Sequence, residues 1–427
     1  MRQWISKRQA AIGPNTMMAL FANAKKYPDV INLSIGDPDI PTPQAILDAM
    51  YQDSCKGHTK YTPSKGDPEL IQAVCDFYKE EHGLALGPEW ITITPAACSG
   101  MYQVMQAVLD PGDEVLIFSP YFSPYASQTQ AAGGVPVLVP CLAEEGFQPN
   151  AQRAAAYVTP KTKAMIVNTP NNPTGACYTR ETLEGLAALA KAADLLVIAD
   201  DIYTDLCFTS EFLPIMTLPG MQERTVTLGS CSKNFVMTGM RIGWVAAPPE
   251  VAEGVRYVGE NIIYCAPSPG QRAALYALRH RAELRPLVGP VFRERVYYAR
   301  DRIRQLPFMT DCPAQGSFYV FPGIGPTGLS SMEACQVFLD EAHVLMLPGS
   351  VFGQAGEGYM RIACTLGLDQ LGEPLTGWKS CPSRKRENVR HGKRRVGKSP
   401  AGHRPDRWGN GPPVPGPHGG GGPGGRL

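Results

Sequence analysis

Seven short runs rich in Val, Ile and Leu recur between residues 90 and 246, and helical patterns fall between several of them. The runs are WITIT (90–94), EVLIF (114–118), VPVLV (135–139), AMIVN (164–168), LLVIA (195–199), TVTLG (225–229) and IGWVA (242–246). The helical patterns lie near 98–109, 123–132 and 179–193. Such alternation predicts an α/β fold, a parallel or mixed sheet flanked by helices. After about residue 276 the pattern changes to long helices at roughly 288–305 and 331–342 around FYVFP (318–322), VLML (344–347) and YMRIAC (359–364). This change predicts a second, smaller α+β domain, with residues 17–27 as a helix packing on it. The expected division is 45–276 for the large domain and 1–44 with 277–378 for the small one.

With 427 residues and 44% hydrophobic content the chain can bury a large core. Residues 379–427 hold twelve Lys/Arg and two Asp/Glu, a local +10 that leaves about −9 on the rest of a chain whose net charge is +1. This Gly/Pro-rich tail has almost no apolar residues, so it is expected to be disordered. It reads either as a genuine basic segment or as an out-of-frame translation of GC-rich DNA. With no interleaved aromatics, the tail is not expected to bind nucleic acid. Twelve cysteines without a CxxC pair, and no apolar leader in MRQWISKRQA, predict reduced thiols and a cytoplasmic protein. The uncharged stretch at 115–143 is broken by prolines and glycines, so no membrane span is expected. No HExxH or Cys/His cluster proposes a metal.

The polar motifs fall just after the β-rich runs, where open α/β sheets bind ligands. TPAACSG follows the first run and starts a helix near Cys98, whose free amides and dipole suit a phosphate. A plain helix cap explains those small residues equally. NTPNNPTG follows the fourth run and presents Asn172, either to a ligand or as part of a tight turn. DDIY (200–203) puts two carboxylates and a phenol at a strand end. In GSCSKNFVMTGMRIGW (229–244), Lys233 stands between Ser230, Ser232 and Arg241. A lysine can form an imine while hydroxyls and a guanidinium hold a phosphate. The coenzyme that needs that set, plus a carboxylate at its ring nitrogen, is pyridoxal phosphate.

The order SIGDPDIPTP, KYTPSKGDPEL, LDPGDEV, SPYFSPY, NTPNNPTG, DDIY, GSCSKNF with TGMRIGW, LPGSVFG and YMRIACT resembles the fold-type I, class I and II aminotransferases, which use pyridoxal phosphate. The resemblance runs from about residue 10 to 373. It implies a three-layer αβα large domain with a mostly parallel sheet. It also implies that Lys233 carries the coenzyme and moves the substrate proton, that Asp200 pairs with the ring nitrogen, and that Tyr203 and Asn172 bond the ring oxygen. Ser230, Ser232, Arg241 and the amides of Ala97 and Cys98 would hold the phosphate, with Phe122 stacked on the ring. Arg361 would grip the α-carboxylate of amino acid and 2-oxo acid, with Gly36 close to the substrate. Tyr61 would reach the neighbouring subunit's phosphate, implying a homodimer with shared sites. Ala96 stands where the family often has glycine. Pro374 and the basic tail are expected to interrupt the terminal helix begun by GLDQLGEP.

On this reading the activity is transfer of an amino group from an L-amino acid to a 2-oxo acid, 2-oxoglutarate foremost, by a ping-pong mechanism. A carbon–sulfur β-lyase of the same fold is the alternative, although NTPNNPTG looks more like the transaminase form. A cofactor-binding regulator lacks support, since no winged-helix segment precedes residue 30. Arg361 could also be a structural ion-pair partner, and Tyr121 and Phe122 ordinary core aromatics. Substrate selectivity is expected to come from Asn15, Thr16, the surroundings of Ile35 and the partner subunit. Aspartate, aromatic amino acids, alanine and an N-acylated diaminopimelate stay open as donors.

Overall fold

The computed structural model describes residues 4–12, 18–209 and 211–377. Asn15, Thr16 and the 379–427 tail lie outside the described residues. All seven β-rich runs become strands of one sheet: β1 (Ile91–Thr94), β2 (Glu114–Ser119), β3 (Val135–Pro140), β4 (Thr162–Asn168), β5 (Leu196–Asp200), β6 (Thr225–Ser230) and β7 (Gly243–Ala246). Their order is β1-β7-β6-β5-β4-β2-β3. The pairs β6–β5, β5–β4, β4–β2 and β2–β3 are parallel, and β7 is antiparallel to both neighbours.

Side chains alternate between two buried faces, as a strand period of two requires. Leu116, Phe118, Met165, Val167, Val197 and Ala199 pack with Leu183, Leu186 and Ala190 of helix Arg180–Ala192. Val115, Ile117, Ile166, Ile198, Val226 and Leu228 pack on the other face, with Met101, Val104 and Met105 of helix Ala97–Val108. Both faces are therefore covered, which is why the central strands carry almost unbroken apolar runs. Pro136 and Pro140 sit in β3, an edge strand, where a missing N–H costs no ladder bond.

Helix Met18–Ala24 forms within the expected 17–27 segment, and its Leu20 and Ala24 join a separate cluster built largely from residues 288–371. That cluster holds Val288, Phe292, Val296, Phe318, Phe338 and Ile362 around a three-stranded antiparallel sheet, Leu347–Pro348, Met360–Ala363 and Tyr319–Val320. Strand structure in FYVFP is thus confined to Tyr319–Val320, and VLML divides into Val344–Leu345 and Leu347–Pro348. Helix Ser331–Ala342 falls at the expected place, closed by a capping box between Ser330 and Glu333.

Two helices depart from expectation. The helix expected from 288 begins at Arg281 and runs through Pro286 and Pro290 to Ile303. Its first turns are pinned from outside: Arg281 Nε and Arg285 Nη1 donate to Glu81 at 2.7 and 2.8 Å, while Leu284 and Val288 are buried. Tertiary anchoring there outweighs the bonds that proline removes. The terminal helix is not interrupted at Pro374 either. It spans Leu368–Gly377, with Leu371 buried in the same cluster as Phe292 and Val296. No described helix is long and apolar enough to cross a membrane.

Candidate active site

Strands β4, β5 and β6 end on Asn168, Asp200 and Ser230. Those carboxyl ends meet the first turn of helix Ala97–Val108 and the short helix Cys231–Asn234 around a cavity of about 570 Å³. Every cofactor or substrate residue expected from the sequence lines it except Tyr61. Tyr61 is 82% exposed on the surface.

Lys233 enters the cavity from Cys231–Asn234, and its Nζ donates to the Gly36 carbonyl at 2.6 Å. Burial lowers its ammonium pKa below the ordinary lysine value. That favours the neutral amine that an imine-forming lysine needs. A Cβ on Gly36 would stand 1.8 Å from the Tyr319 hydroxyl oxygen, so a larger residue there would displace that ring.

Asp200 closes β5 with its Oδ2 accepting from the Tyr125 hydroxyl and its Oδ1 buried without a partner. Burial pushes the carboxyl up to about 6. Because the folded value lies above the ordinary 3.8, the protonated group costs little and the ionised group is penalised. In coenzyme-free protein the Asp200 contribution to stability is therefore lost as pH rises from about 4 to 6. The loss amounts to about 3 kcal/mol. Urea unfolding of coenzyme-free wild type and Asp200→Asn should diverge in the variant's favour by about that amount between pH 4 and 7. Parallel curves would remove the assignment.

Arg361 projects from strand Met360–Ala363 and is buried. Its Nη1 donates to Asn172 Oδ1 at 3.0 Å, its Nη2 to the Ser34 carbonyl, and its Nε has no partner. The guanidinium lies 4.3 Å from the Tyr319 ring centroid and 4.9 Å from that of Phe352. It makes no salt bridge among the described residues, so the structural ion-pair reading has no carboxylate to rest on. Burial lowers its pKa, as expected of a cation without an anion. Asn172 is held in turn by its N–H, which donates to Asn168 Oδ1 at 3.0 Å.

At the far end, Ala97 and Cys98 open their helix, and Arg241 is exposed with Nη1 donating to the Thr238 carbonyl at 2.6 Å. Ser230 is already engaged: it donates to the Ile242 carbonyl at 3.1 Å and accepts the Ser232 N–H at 3.1 Å. Its hydroxyl caps the Lys233 helix at the cavity wall. Phe122 lines the wall, edge-on to Tyr125 at 5.5 Å. Tyr203 is buried edge-on to Phe318 and Tyr319, at 5.6 and 6.1 Å.

Ala96, before that helix, has φ 76° and ψ 155°, a region nearly reserved for glycine. Ala96→Gly is therefore expected to stabilise the protein by about 1 kcal/mol, read as a higher urea midpoint. A lower midpoint would show that the alanine carries no strain.

Three contributors went unread in the sequence. Tyr125 holds Asp200, Asn168 holds Asn172, and Tyr319 underlies Arg361. The second tyrosine of SPYFSPY and the asparagine ending AMIVN were visible as residues, but their partners were not.

The donors fit pyridoxal phosphate. A protonated ring nitrogen answers the orphaned Asp200 Oδ1, the helix-opening amides and Arg241 answer a phosphate, and Lys233 answers an aldehyde. A lysine just after β6 and a buried aspartate ending the neighbouring β5, facing one cavity, are the groups a pyridoxal-phosphate enzyme needs. Residues 28–373 match the family described as Aminotransferase class I and II. The chain is 38% identical to aromatic-amino-acid aminotransferase 2 of Thermococcus litoralis over 376 residues, 87% of this chain and 96% of that protein. It is 35% identical to the aspartate/prephenate aminotransferase of Thermus thermophilus over 379 residues, 87% and 97% of the two chains. A solved double mutant of Thermus thermophilus aspartate aminotransferase superposes with a TM-score of 0.84 at 33% identity, covering 88% of this chain and 98% of that one. The chain belongs to the class I and II aminotransferases, pyridoxal-phosphate enzymes that act on amino acids and 2-oxo acids.

Proposed function

We propose that the chain passes the amino group of an L-amino acid to 2-oxoglutarate in a ping-pong cycle, with Lys233 as the coenzyme-bearing residue and proton carrier. The observation that carries this is Arg361: a buried guanidinium with one unpartnered N–H and no anion, in the same cavity as Lys233. A bidentate pair with an α-carboxylate satisfies it, and amino acid and oxo acid offer the same group.

When bound, the coenzyme supplies an electron sink for the bond broken at the substrate Cα. The protein does the rest. Asp200, oriented by Tyr125, would pair with the ring nitrogen and favour its protonated form. Lys233 takes the proton from the substrate Cα and returns it on the other side of the exchange. Arg361 and Asn172 would set the substrate orientation, and Tyr203 and Asn172 would hold the ring oxygen. Ser230, Ser232, Arg241 and the amides of Ala97 and Cys98 would hold the phosphate, with the Ser230 hydroxyl also capping the Lys233 helix.

Holoenzyme mixed with an amino acid alone should release one equivalent of 2-oxo acid per site and stop until an oxo acid is added. Continuous release of pyruvate from a cysteine conjugate would favour the β-lyase. A panel of oxo acids with one donor checks 2-oxoglutarate, and a preference for pyruvate would replace it.

The partner we assign is a second copy. Tyr61 packs edge-on to Tyr264 at 5.2 Å, beside exposed Tyr257, Ile262 and Ile263. Such an apolar patch marks an interface, and burying it would carry Tyr61 to the neighbour's phosphate. Sedimentation velocity tests this, and a monomer at micromolar concentration would overturn it. The division into a 45–276 large domain and a 1–44 with 277–378 small domain is supported by the separate cluster that joins Leu20 and Leu33 to residues 288–371. We assign the chain to the cytoplasm, on its twelve cysteines without a CxxC pair.

A further inference from the structure

Behind the cofactor cavity, two turns that carry its residues end on cysteines. Cys177 closes the turn that begins with Asn172, and Cys207 closes the one that begins with Tyr203. The Cys207 thiol donates to Cys177 Sγ at 3.2 Å. A disulfide needs about 2.05 Å, so bonding requires the sulfurs to close by only about 1 Å.

The surroundings connect this pair to the site. Backbone from residues 315–317 is wedged between the turns: Gln315 and Gly316 N–H donate to the Gly175 carbonyl at 3.0 and 2.9 Å, Phe208 N–H to the Gln315 carbonyl at 2.8 Å, and Ser317 N–H to the Leu206 carbonyl at 2.8 Å. Gly316 approaches so closely that a Cβ would stand 2.6 Å from Cys177 Sγ and 2.7 Å from the Leu206 carbonyl oxygen. The strand that follows carries Tyr319, on which Arg361 rests. A pull between the two sulfurs therefore reaches Asn172, Tyr203 and the support of Arg361 together.

We propose that Cys177 and Cys207 are a dithiol–disulfide site that lowers the activity of the enzyme when a hydroperoxide oxidises it. Cys207 is partly exposed and Cys177 buried, so the oxidant meets Cys207 first. The Cys207 thiolate attacks the peroxide: an S–O bond forms, the O–O bond breaks and hydroxide leaves. The Cys177 sulfur then attacks the Cys207 sulfur. The S–S bond forms, the S–O bond breaks, and the hydroxyl leaves as water with the Cys177 proton. Two electrons from the thiols reduce one hydroperoxide, and a dithiol reductant reverses the bond. Displacing active-site groups by about 1 Å can cost up to about a hundredfold in rate.

The test treats holoenzyme with hydrogen peroxide, alkylates remaining thiols, and maps peptides without reduction. Expected are a cross-linked pair containing Cys177 and Cys207 and a fall in kcat of about tenfold or more, restored by dithiothreitol. Cys207→Ser should keep its basal activity and resist the treatment, with Cys177→Ala as the second variant should the first fail to fold. Cys98 is exposed at the cavity, so inactivation through it would strike Cys207→Ser equally. No cross-link, a cross-link without loss of activity, or equal inactivation of Cys207→Ser would each overturn the proposal. The cross-link is read by mass, so its failure is distinct from failure of the transaminase reading.

Discussion

Lys233→Ala is expected to lower the rate of amino-group transfer by about 10⁴-fold or more, because one substitution removes both the covalent anchor and the proton carrier. A positioned acid–base group alone contributes about 10² to 10⁴-fold, and the lost anchor adds to it. The fold should survive. Lys233 has its one side-chain hydrogen bond to the Gly36 carbonyl, and burying a cation there already penalises its charge. Borohydride reduction of wild type followed by peptide mapping should tag Lys233 with the coenzyme, and the variant should carry no tag. A tag on another lysine, or a variant retaining more than about a hundredth of wild-type turnover, would move the chemistry elsewhere.

Arg361→Lys should cost about 10² to 10³-fold in kcat/KM for donor and acceptor alike. A point charge cannot reproduce a fork that pairs with a carboxylate while bonding Asn172 and the Ser34 carbonyl. That loss corresponds to about 3 to 4 kcal/mol, in line with two charge-assisted hydrogen bonds. Coenzyme content should stay at the wild-type level. An effect confined to the donor, or a KM that does not move, would mean that Arg361 does not hold the shared carboxylate. Arg361→Ala should lose stability as well, because Asn172 Oδ1 and the Ser34 carbonyl would lose a donor while buried.

The alternation of runs, and the residue types Lys233, Asp200 and Arg241 that meet at one cavity, were legible residue by residue, because strand pattern and residue type are local properties. All seven strands form, and the motifs stand at their carboxyl ends. Other features were not legible in one dimension. Ser230 reads as a phosphate donor in sequence, and only the fold shows that its hydroxyl also bonds the Ile242 carbonyl twelve residues away. Pro374 reads as a break, yet the helix runs through it to Gly377, and the helix expected from 288 starts already at Arg281, ahead of Pro286 and Pro290. Tyr125 reads as one aromatic among several in SPYFSPY until its hydroxyl meets Asp200, 75 residues on.

By itself the sequence determined where the seven strands of the large sheet form and which reactive groups the chain owns, since periodicity and side-chain chemistry travel with the residues. Only the tertiary structure decided which groups are paired and which are left waiting: Arg361 meets Asn172 across 189 positions and Ser34 across 327, and Lys233 meets Gly36 across 197. Hydrogen-bond satisfaction and burial are properties of neighbours in space. They set the pKa of Asp200 and leave Arg361 without an anion, and no reading of adjacent residues contains them.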